Sequence, residues 1–357
     1  MRCVTPMFRR FNPYDSNDKG KIVPRSEVLD QLNYDPNHIR FCLNKMNDPE
    51  RVRRTGRKYQ TIPCGKCYAC RLNYSAQWAT RLTLEAKEYE HNYFITLTYD
   101  DEHLVQPNHI TDGTNIYNND GTWNGTLVKA HPSNFIRRLR EYFRRKGYTG
   151  KIRYYYCGEY GGEGLRPHYH LILLNCPLDI KDFYDFHVDK NYKMHWKSKE
   201  IERYWDKGLI DVAEVEWSSC AYVARYCMKK LTDDTDKTTY YKMGKIPEFV
   251  RMSTHPAIGS KYYNEHKFDI YQNDELIMKT VKGNIGSVKP PKSWDKKFKD
   301  EHPEQWNKIK QSRELASERS RIMRERSSGK TDIRNLELSA QKVAQKASML
   351  PRDMKEC

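Results

Sequence analysis

Three short segments rich in β-branched and aromatic residues constrain the fold of this chain more than any other feature. Residues 93–99 (YFITLTY), 151–157 (KIRYYYC) and 168–174 (HYHLILL) each have the composition of a β-strand. The last two are joined by 158–167 (GEYGGEGLRP), whose glycines and proline suit a loop, so they predict a hairpin. An antiparallel sheet is therefore expected at the centre of the chain.

Helix patterns lie beside these strands. Residues 74–90 repeat apolar side chains every four positions, and Ser133 is the expected N-cap of a helix over 134–147. One further strand and two short helices are predicted, respectively, at 209–217, 198–206 and 219–231. The predicted class is α+β, with helices to one side of an antiparallel sheet.

The composition changes at both ends of this core. Residues 1 to about 60 are polar, with many turn-forming residues, and predict irregular structure; 289–300 (KPPKSWDKKFKD) predicts a linker. A charged, helix-favouring tail is expected over 302–350. The expected domains are a basic region with cysteines and a helix (1–90), a catalytic domain (91–263), and a basic linker with a charged helical tail (264–357).

The charge indicates the class of partner. The chain of 357 residues has a formal net charge of +16 and contains 26 tyrosines. Cations bind phosphates and aromatic rings stack on unpaired bases, so this composition favours a nucleic acid. The arginines of 134–147 and the charged tail are expected to supply mostly non-specific DNA affinity. No apolar stretch suits a signal peptide or a membrane helix, which indicates a reducing cytoplasm and no membrane partner.

Two histidines share one side of a predicted strand. Side chains at i and i+2 of a strand lie on the same face, so His168 and His170 can bind one ion. Glu159, nine residues earlier, can face them across the hairpin. Two imidazoles and a carboxylate leave coordination positions for a phosphate, and Mg²⁺ or Mn²⁺ is the expected metal. The alternative is a partly exposed strand whose histidines only form hydrogen bonds.

Two tyrosines recur one helical turn apart in 222–231 (YVARYCMKKL). Tyr222 and Tyr226 are expected on one face, with Lys229 and Lys230 nearby and the hydroxyl groups pointing outward. A phenol becomes a useful nucleophile when a metal and positive charge assist it. The alternative is an amphipathic helix with tyrosines at its rim.

Three cysteines have the spacing of a zinc knuckle. Cys64, Cys67 and Cys70 form C-x-x-C-x-x-C, and Cys3, or else Cys42, is the expected fourth ligand. An iron–sulfur cluster and unliganded surface thiols are the alternatives.

The motifs FITLTYDDEHL, RPHYHLILL and YVARYCMKKL together resemble those of the HUH endonucleases, which have an RRM-like sheet. With PCGKCYACR, WATRLTLEA and CGEYG, the pattern over about 60–263 is similar to the replication initiators of the gokushovirus branch of the microviruses. The resemblance implies that His168, His170 and Glu159 bind the metal. It also implies that Tyr222 and Tyr226 are nucleophiles and that Lys229 or Lys230 stabilises phosphate charge.

The resemblance further implies rolling-circle initiation in the host bacterial cytoplasm. A tyrosine would nick single-stranded DNA at the viral origin, keep the 5′ phosphate covalently, and leave a 3′ hydroxyl for a host polymerase. A host helicase would unwind the duplex, because the sequence has no phosphate-binding loop of the G-x-x-x-x-G-K-[ST] type. The alternatives are a single-strand transposase or relaxase with the same core, and a zinc-containing nucleic-acid-binding regulator without catalysis.

Overall fold

The structure is a computed structural model, and it describes most of the chain. It covers 7–15, 18, 20–23, 47–65, 67–105, 125–161, 164–189, 192–230, 240–279, 285–329, 338, 341, 342 and 345. At 225–230 the description extends to the backbone and not to the side chains.

Strands and helices are interspersed along the described part of the chain. The strands are β1 (Met7–Phe11), β2 (Lys21–Val23), β3 (Lys58–Ile62), β4 (Asn92–Thr98), β5 (Arg153–Tyr160), β6 (Pro167–Leu174), β7 (Phe183–Val188), β8 (Met194–Ser198), β9 (Ile210–Glu214), β10 (Phe249–Met252), β11 (Leu276–Lys279) and β12 (Ile285–Val288). The helices are α1 (Pro49–Thr55), α2 (Tyr68–Ala86), α3 (Ala130–Arg145), α4 (Lys199–Tyr204), α5 (Trp217–Lys230), α6 (Ser260–Asn273), α7 (Lys292–Glu301) and α8 (Pro303–Ser328).

The chain divides into two compact units. The first comprises Met1–Asn73 and Lys310–Leu350, and the second comprises Tyr74–Ile309 and Pro351–Cys357. In the first unit, β1 pairs with β2 and with β3, both antiparallel, where the sequence had predicted irregular structure. That prediction was wrong because these polar strands bury few side chains, Phe8 among them, and so lack a strong apolar pattern. The domain boundaries at 90 and 263 stay a prediction.

The second unit contains a seven-stranded sheet in the order β10-β5-β6-β4-β9-β8-β7. Every neighbouring pair is antiparallel, which confirms the expected sheet type. The hairpin expected between β5 and β6 is also present, with Glu159 directly opposite His168.

Helices cover both faces of this sheet, so the expectation of helices on one side was wrong. Ile95 and Leu171 pack with Phe135 and Leu139 of α3, whereas the alternate strand residues pack in a second cluster with α2 and α5. Strands β4, β5 and β6 are therefore buried on both faces, and their sequences are apolar along nearly their whole length.

Two helix starts differ from those predicted. Helix α3 begins at Ala130, and Ser133 lies inside it, where its hydroxyl donates to the carbonyl oxygen of Lys129 at 3.1 Å. Ser133 is therefore not the N-cap. Helix α2 begins at Tyr68 rather than at residue 74, so it includes Cys70.

The expected linker at 289–300 is instead largely helix α7. Trp294 and Phe298 are buried there, and the Phe298 ring stacks on Tyr271 of α6 with 3.9 Å between ring centroids. These two aromatic residues in a lysine-rich segment are enough to anchor one face of a short helix. The expected helical tail is confirmed over Pro303–Ser328. In the described part of the chain, every helix is too short or too polar to cross a membrane.

Candidate functional site

The site lies on the face of the sheet that α2 and α5 cover. In the pairing of β5 with β6, Glu159 stands opposite His168 and Cys157 stands opposite His170. On the other side of β6, Thr96 of β4 stands opposite His170. Directly opposed residues of an antiparallel pair share a face, so the sheet register brings these side chains together.

The two imidazoles meet at one carboxylate oxygen. The Nε2 atom of His168 lies 2.9 Å from Oε1 of Glu159, and the Nε2 atom of His170 lies 2.8 Å from the same oxygen. The centroids of the two imidazole rings are 4.9 Å apart. Glu159 and His170 are almost completely buried, while the side chain of His168 is 15% exposed, which leaves one approach from solvent.

Neighbouring groups fix the orientation of both histidines. Nδ1 of His170 is 3.0 Å from the Thr96 hydroxyl, and Nδ1 of His168 is 3.1 Å from the carbonyl oxygen of Arg166. Phe94 stacks on the His170 ring at 5.6 Å. Hydrogen bonds at Nδ1 favour the tautomer in which Nε2 is the ligand atom, as partners beyond the first ligand shell commonly do at metal sites.

Tyr222 of α5 reaches the same point. Its hydroxyl donates to Oε1 of Glu159 at 3.4 Å, and its ring lies edge-on to His170 with 5.1 Å between centroids. Tyr222 is 4% exposed. The expectation that its hydroxyl points outward was wrong, because this face of α5 packs on the sheet beside Val223.

The protonation states suit metal binding. Burial raises the pKa of Glu159, but the imidazoles of His170 and His168 outweigh burial and lower it to about 2. Full burial lowers the pKa of His170. An ionised carboxylate and a neutral imidazole are the forms that ligate metals.

One atom of the site has an unmet bonding capacity. Among the described residues, Oε2 of Glu159 is buried and has no hydrogen-bond partner. A buried carboxylate oxygen without a partner is costly, and a cation is one way to satisfy it. The donor set of Glu159, His168 and His170 therefore fits a divalent ion on the grounds of ligand type, mutual distance and this unsatisfied oxygen.

The remaining residues expected to act here lie on the last turns of α5. Tyr226, Lys229 and Lys230 belong to the helix, so Tyr226 follows Tyr222 by about one turn. Their side chains lie outside the described part of the chain.

The cysteine cluster forms a separate group in the first unit. One sulfur each from Cys64, Cys67 and Cys70 lies within 4.8 Å of the other two. The backbone N–H of Cys67 donates to the Cys64 sulfur at 3.3 Å. This N–H group would also stabilise a metal-bound thiolate, so the cluster fits a thiolate-binding metal such as zinc. Cys3 and Cys42 lie outside the described residues.

The arginines of α3 lie over the opposite face of the sheet. Arg144 and Arg145 are 71% and 75% exposed, and both pair with Glu141. Arg138 instead binds Asp206 through two hydrogen bonds, and Arg140 donates to the carbonyl oxygen of Ile152. Only part of this basic helix is therefore available to phosphates.

Sequence reasoning missed Thr96 and Phe94 as supports of the histidines. Both lie in the predicted strand 93–99, and the alternation of that strand puts them on one face. The missing information was which strand pairs with β6, since that pairing alone places Thr96 opposite His170.

The comparisons with known proteins agree with this geometry. The family model for the ORF2-type replication-associated protein matches residues 92–231, which include Glu159, both histidines and Tyr222. The chain is 39% identical over 269 residues to the replication-associated protein ORF2 of Spiroplasma virus 4, covering 74% of this chain and 77% of that protein.

Two further relatives have the same description. The replication-associated protein VP4 of Bdellovibrio phage phiMH2K is 31% identical over 269 residues, covering 73% of this chain and 76% of that protein. The replication-associated protein ORF4 of Chlamydia phage 1 is 30% identical over 177 residues, covering 49% of this chain and 40% of that protein. No solved structure was found to match. The chain therefore belongs to the ORF2-type family of replication-associated proteins, the replication initiators of the microviruses.

Proposed function

We propose that this initiator nicks single-stranded DNA at the viral origin by tyrosine transesterification and later rejoins the strand. The observation that carries the proposal is the convergence of Glu159, His168, His170 and the Tyr222 hydroxyl at one buried point. A nucleophile beside a set of metal ligands is the arrangement that phosphodiester transfer requires.

Glu159, His168 and His170 would hold Mg²⁺ or Mn²⁺. When bound, such an ion supplies Lewis-acid stabilisation of charge on the phosphoryl oxygens. Thr96 keeps the Nε2 atom of His170 directed at the ligand position, and the Arg166 carbonyl does the same for His168. Burial of the ligands beneath α5 excludes water from one side of the site.

The nicking step exchanges one phosphate ester for another. The Tyr222 oxygen forms a bond to phosphorus, the bond from phosphorus to the 3′ oxygen breaks, and the phenol proton is replaced by a proton on the leaving 3′ oxygen. The 5′ phosphate stays on the tyrosine, and the free 3′ hydroxyl primes synthesis by a host polymerase. Because ester energy is conserved, rejoining is the same exchange in reverse and requires no nucleotide.

Tyr226 is proposed as the second nucleophile. Its position one turn after Tyr222 would let it cleave the regenerated origin while Tyr222 still holds the first end. Lys229 and Lys230 on the following turn would stabilise phosphate charge. Unwinding is assigned to a host helicase.

The test is adduct formation on circular single-stranded DNA carrying the origin, with Mn²⁺ present. We expect a protein–DNA adduct that resists SDS, with the phosphate mapped by mass spectrometry to Tyr222 or Tyr226. Each single Tyr→Phe variant should retain some cleavage, and the double variant should form no adduct. Tyr154→Phe, on the same sheet but without a contact to the site, is the matched control.

Two outcomes would refute the mechanism. One is an adduct that survives in the double tyrosine variant, and the other is full activity in EDTA or in the His168→Ala/His170→Ala variant. DNA binding without any adduct in the unmodified protein would favour the non-catalytic regulator. Dependence on only one tyrosine over repeated rounds would favour a single-nucleophile transposase or relaxase.

We also propose that Cys64, Cys67 and Cys70 bind zinc, with Cys3 or else Cys42 as the fourth ligand. Cys67→Ser should reduce the zinc content of the full chain by one equivalent, whereas Cys176→Ala, a buried thiol outside the cluster, should not. Comparison of Cys3→Ser with Cys42→Ser identifies the fourth ligand. Visible absorption typical of iron–sulfur clusters in the purified protein would contradict the zinc assignment.

A further inference from the structure

A second group of metal-ligand side chains lies at the edge of the large sheet, away from the nicking site. His187 is on β7, His195 is on β8 and Asp211 is on β9. One ligand atom from each lies within 4.8 Å of the other two. Strand β4 separates β9 from β6, which puts Asp211 two strand spacings, about 9–10 Å, from the strand of His170.

A local irregularity of β7 turns His187 toward this group. The register of β7 and β8 shifts by one residue between Tyr184 and His187, and Asp185 in that interval has a φ of 55°. After the shift, His187 stands directly opposite His195, with 5.4 Å between their ring centroids. β-bulges commonly redirect a side chain near functional sites, and a positive φ at a non-glycine residue costs free energy.

The hydrogen bonds leave suitable nitrogen atoms for a ligand. Nδ1 of His187 lies 3.2 Å from the carbonyl oxygen of Asp185, an arrangement that fits Nε2 as its ligand atom. His195 is 7% exposed, and its Nδ1 lies 2.7 Å from a carboxylate oxygen of Asp211. On its other side, Nε2 of His195 lies 3.7 Å from a carboxylate oxygen of Asp189.

The nearby cations have other carboxylates to neutralise. Lys197 pairs with Asp185 at 2.7 Å, and Lys193 pairs with Glu216 at 2.9 Å. Asp189 is positioned by the turn itself, since its Oδ1 accepts the backbone N–H of Lys193 at 2.8 Å. The carboxylates of Asp211 and Asp189 therefore both face His195 rather than a lysine.

We propose that His187, His195 and Asp211 bind a transition-metal ion of the zinc class, with Asp189 beside them as a fourth oxygen donor. Two imidazoles favour zinc over Mg²⁺, and two imidazoles with carboxylates are a common tetrahedral zinc set. Each of the three ligands comes from a different strand. The ion would therefore tie β7 and β8 to β9 at a sheet edge where the last four residues of β7 are exposed and gain little from burial.

The test measures zinc at this site separately from the other two candidate sites. His187 is exposed, so its reaction with diethyl pyrocarbonate can be followed by peptide mass spectrometry in the full chain. We expect added Zn²⁺ to slow modification of His187 several-fold while His255, an exposed histidine outside the cluster, reacts at an unchanged rate. Asp211→Asn, which keeps the shape of the side chain, should require roughly 10–100-fold more Zn²⁺ for the same protection.

Zinc content gives an independent measurement. His187→Ala should bind one equivalent less zinc than the unmodified chain, and His255→Ala should bind the same amount. His187 lies at an exposed edge, so its loss should leave the fold intact, which circular dichroism would verify. Modification of His187 at the same rate with and without Zn²⁺, or an unchanged zinc content in His187→Ala, would overturn the proposal.

Discussion

Thr96 is the residue whose role is most easily separated from that of the metal ligands. It touches neither the substrate position nor Oε1 of Glu159, and its hydroxyl contacts only the far nitrogen of the His170 ring. It is therefore a positioning residue for the histidine. Thr98, two residues along the same strand face, donates instead to the carbonyl oxygen of Leu209.

We expect Thr96→Val to raise the Mn²⁺ concentration needed for half-maximal nicking by roughly 10–100-fold, because His170 loses the partner that fixes its tautomer. Saturating Mn²⁺ should restore most of the rate. Thr98→Val is the matched control and should leave the Mn²⁺ requirement unchanged. An equal effect of both changes would mean that the strand, and not the hydrogen bond, matters.

At the scale of elements, a buried ion pair anchors α2 to the sheet. Glu85 of α2 pairs with Arg153 of β5, and each side chain is 2% exposed. Glu85 also accepts the backbone N–H of Gly259 at 2.6 Å, and Arg153 donates to the carbonyl oxygen of Pro256 at 2.9 Å. The pair thus joins the helix, the sheet and the segment that leads into α6.

We expect Glu85→Ala to lower the free energy of unfolding by about 3–5 kcal/mol, because it leaves the Arg153 charge buried without its partner. Chemical denaturation measures this. The double variant Glu85→Leu/Arg153→Met removes both charges and should lose less than Glu85→Ala alone. A larger loss in the double variant would show that the pair is net stabilising.

A second element, α7, is held by aromatic packing. Phe298 is 1% exposed, in contrast to Phe268 of α6, which is 57% exposed. Phe298→Ala should lower the free energy of unfolding by about 3–5 kcal/mol, the usual loss for a buried phenylalanine. Phe268→Ala should change it by less than about 0.5 kcal/mol. Similar values for the two variants in denaturant titrations would contradict the packing described for this helix.

At the scale of the whole molecule, the net charge of +16 favours DNA binding, but individual arginines differ in availability. Arg144 and Arg145 are the exposed members of the α3 group. If each contacts one phosphate of single-stranded DNA, reversing both charges should reduce the slope of log affinity against log salt by about 1.4. Filter binding over a salt series measures the slope.

A charge-matched control separates position from net charge. Lys87→Glu/Lys296→Glu changes the net charge by the same amount at two exposed positions away from α3. This variant should keep a slope close to that of the unmodified chain. Equal flattening in both variants would assign the effect to the overall charge.

The sequence by itself determined what depends on local periodicity. Strand alternation is a property of the backbone, so it put His168 and His170 on one face before any partner was known. The β5–β6 hairpin followed from two strand patterns joined by a short loop. The C-x-x-C-x-x-C spacing likewise indicated the cysteine cluster.

Tertiary structure decided what depends on contacts between distant segments. The choice of β4 as the neighbour of β6 brought Thr96 to His170, and the packing of α5 turned Tyr222 inward to Glu159. The sequence alone suggested the opposite direction for Tyr222, because tyrosine suits both a core and a rim and a helix pattern does not say which face meets the sheet. The edge cluster of His187, His195 and Asp211 arises from a bulge and two strand registers. Register is set by the burial of whole strands against their neighbours, which no short window of sequence contains.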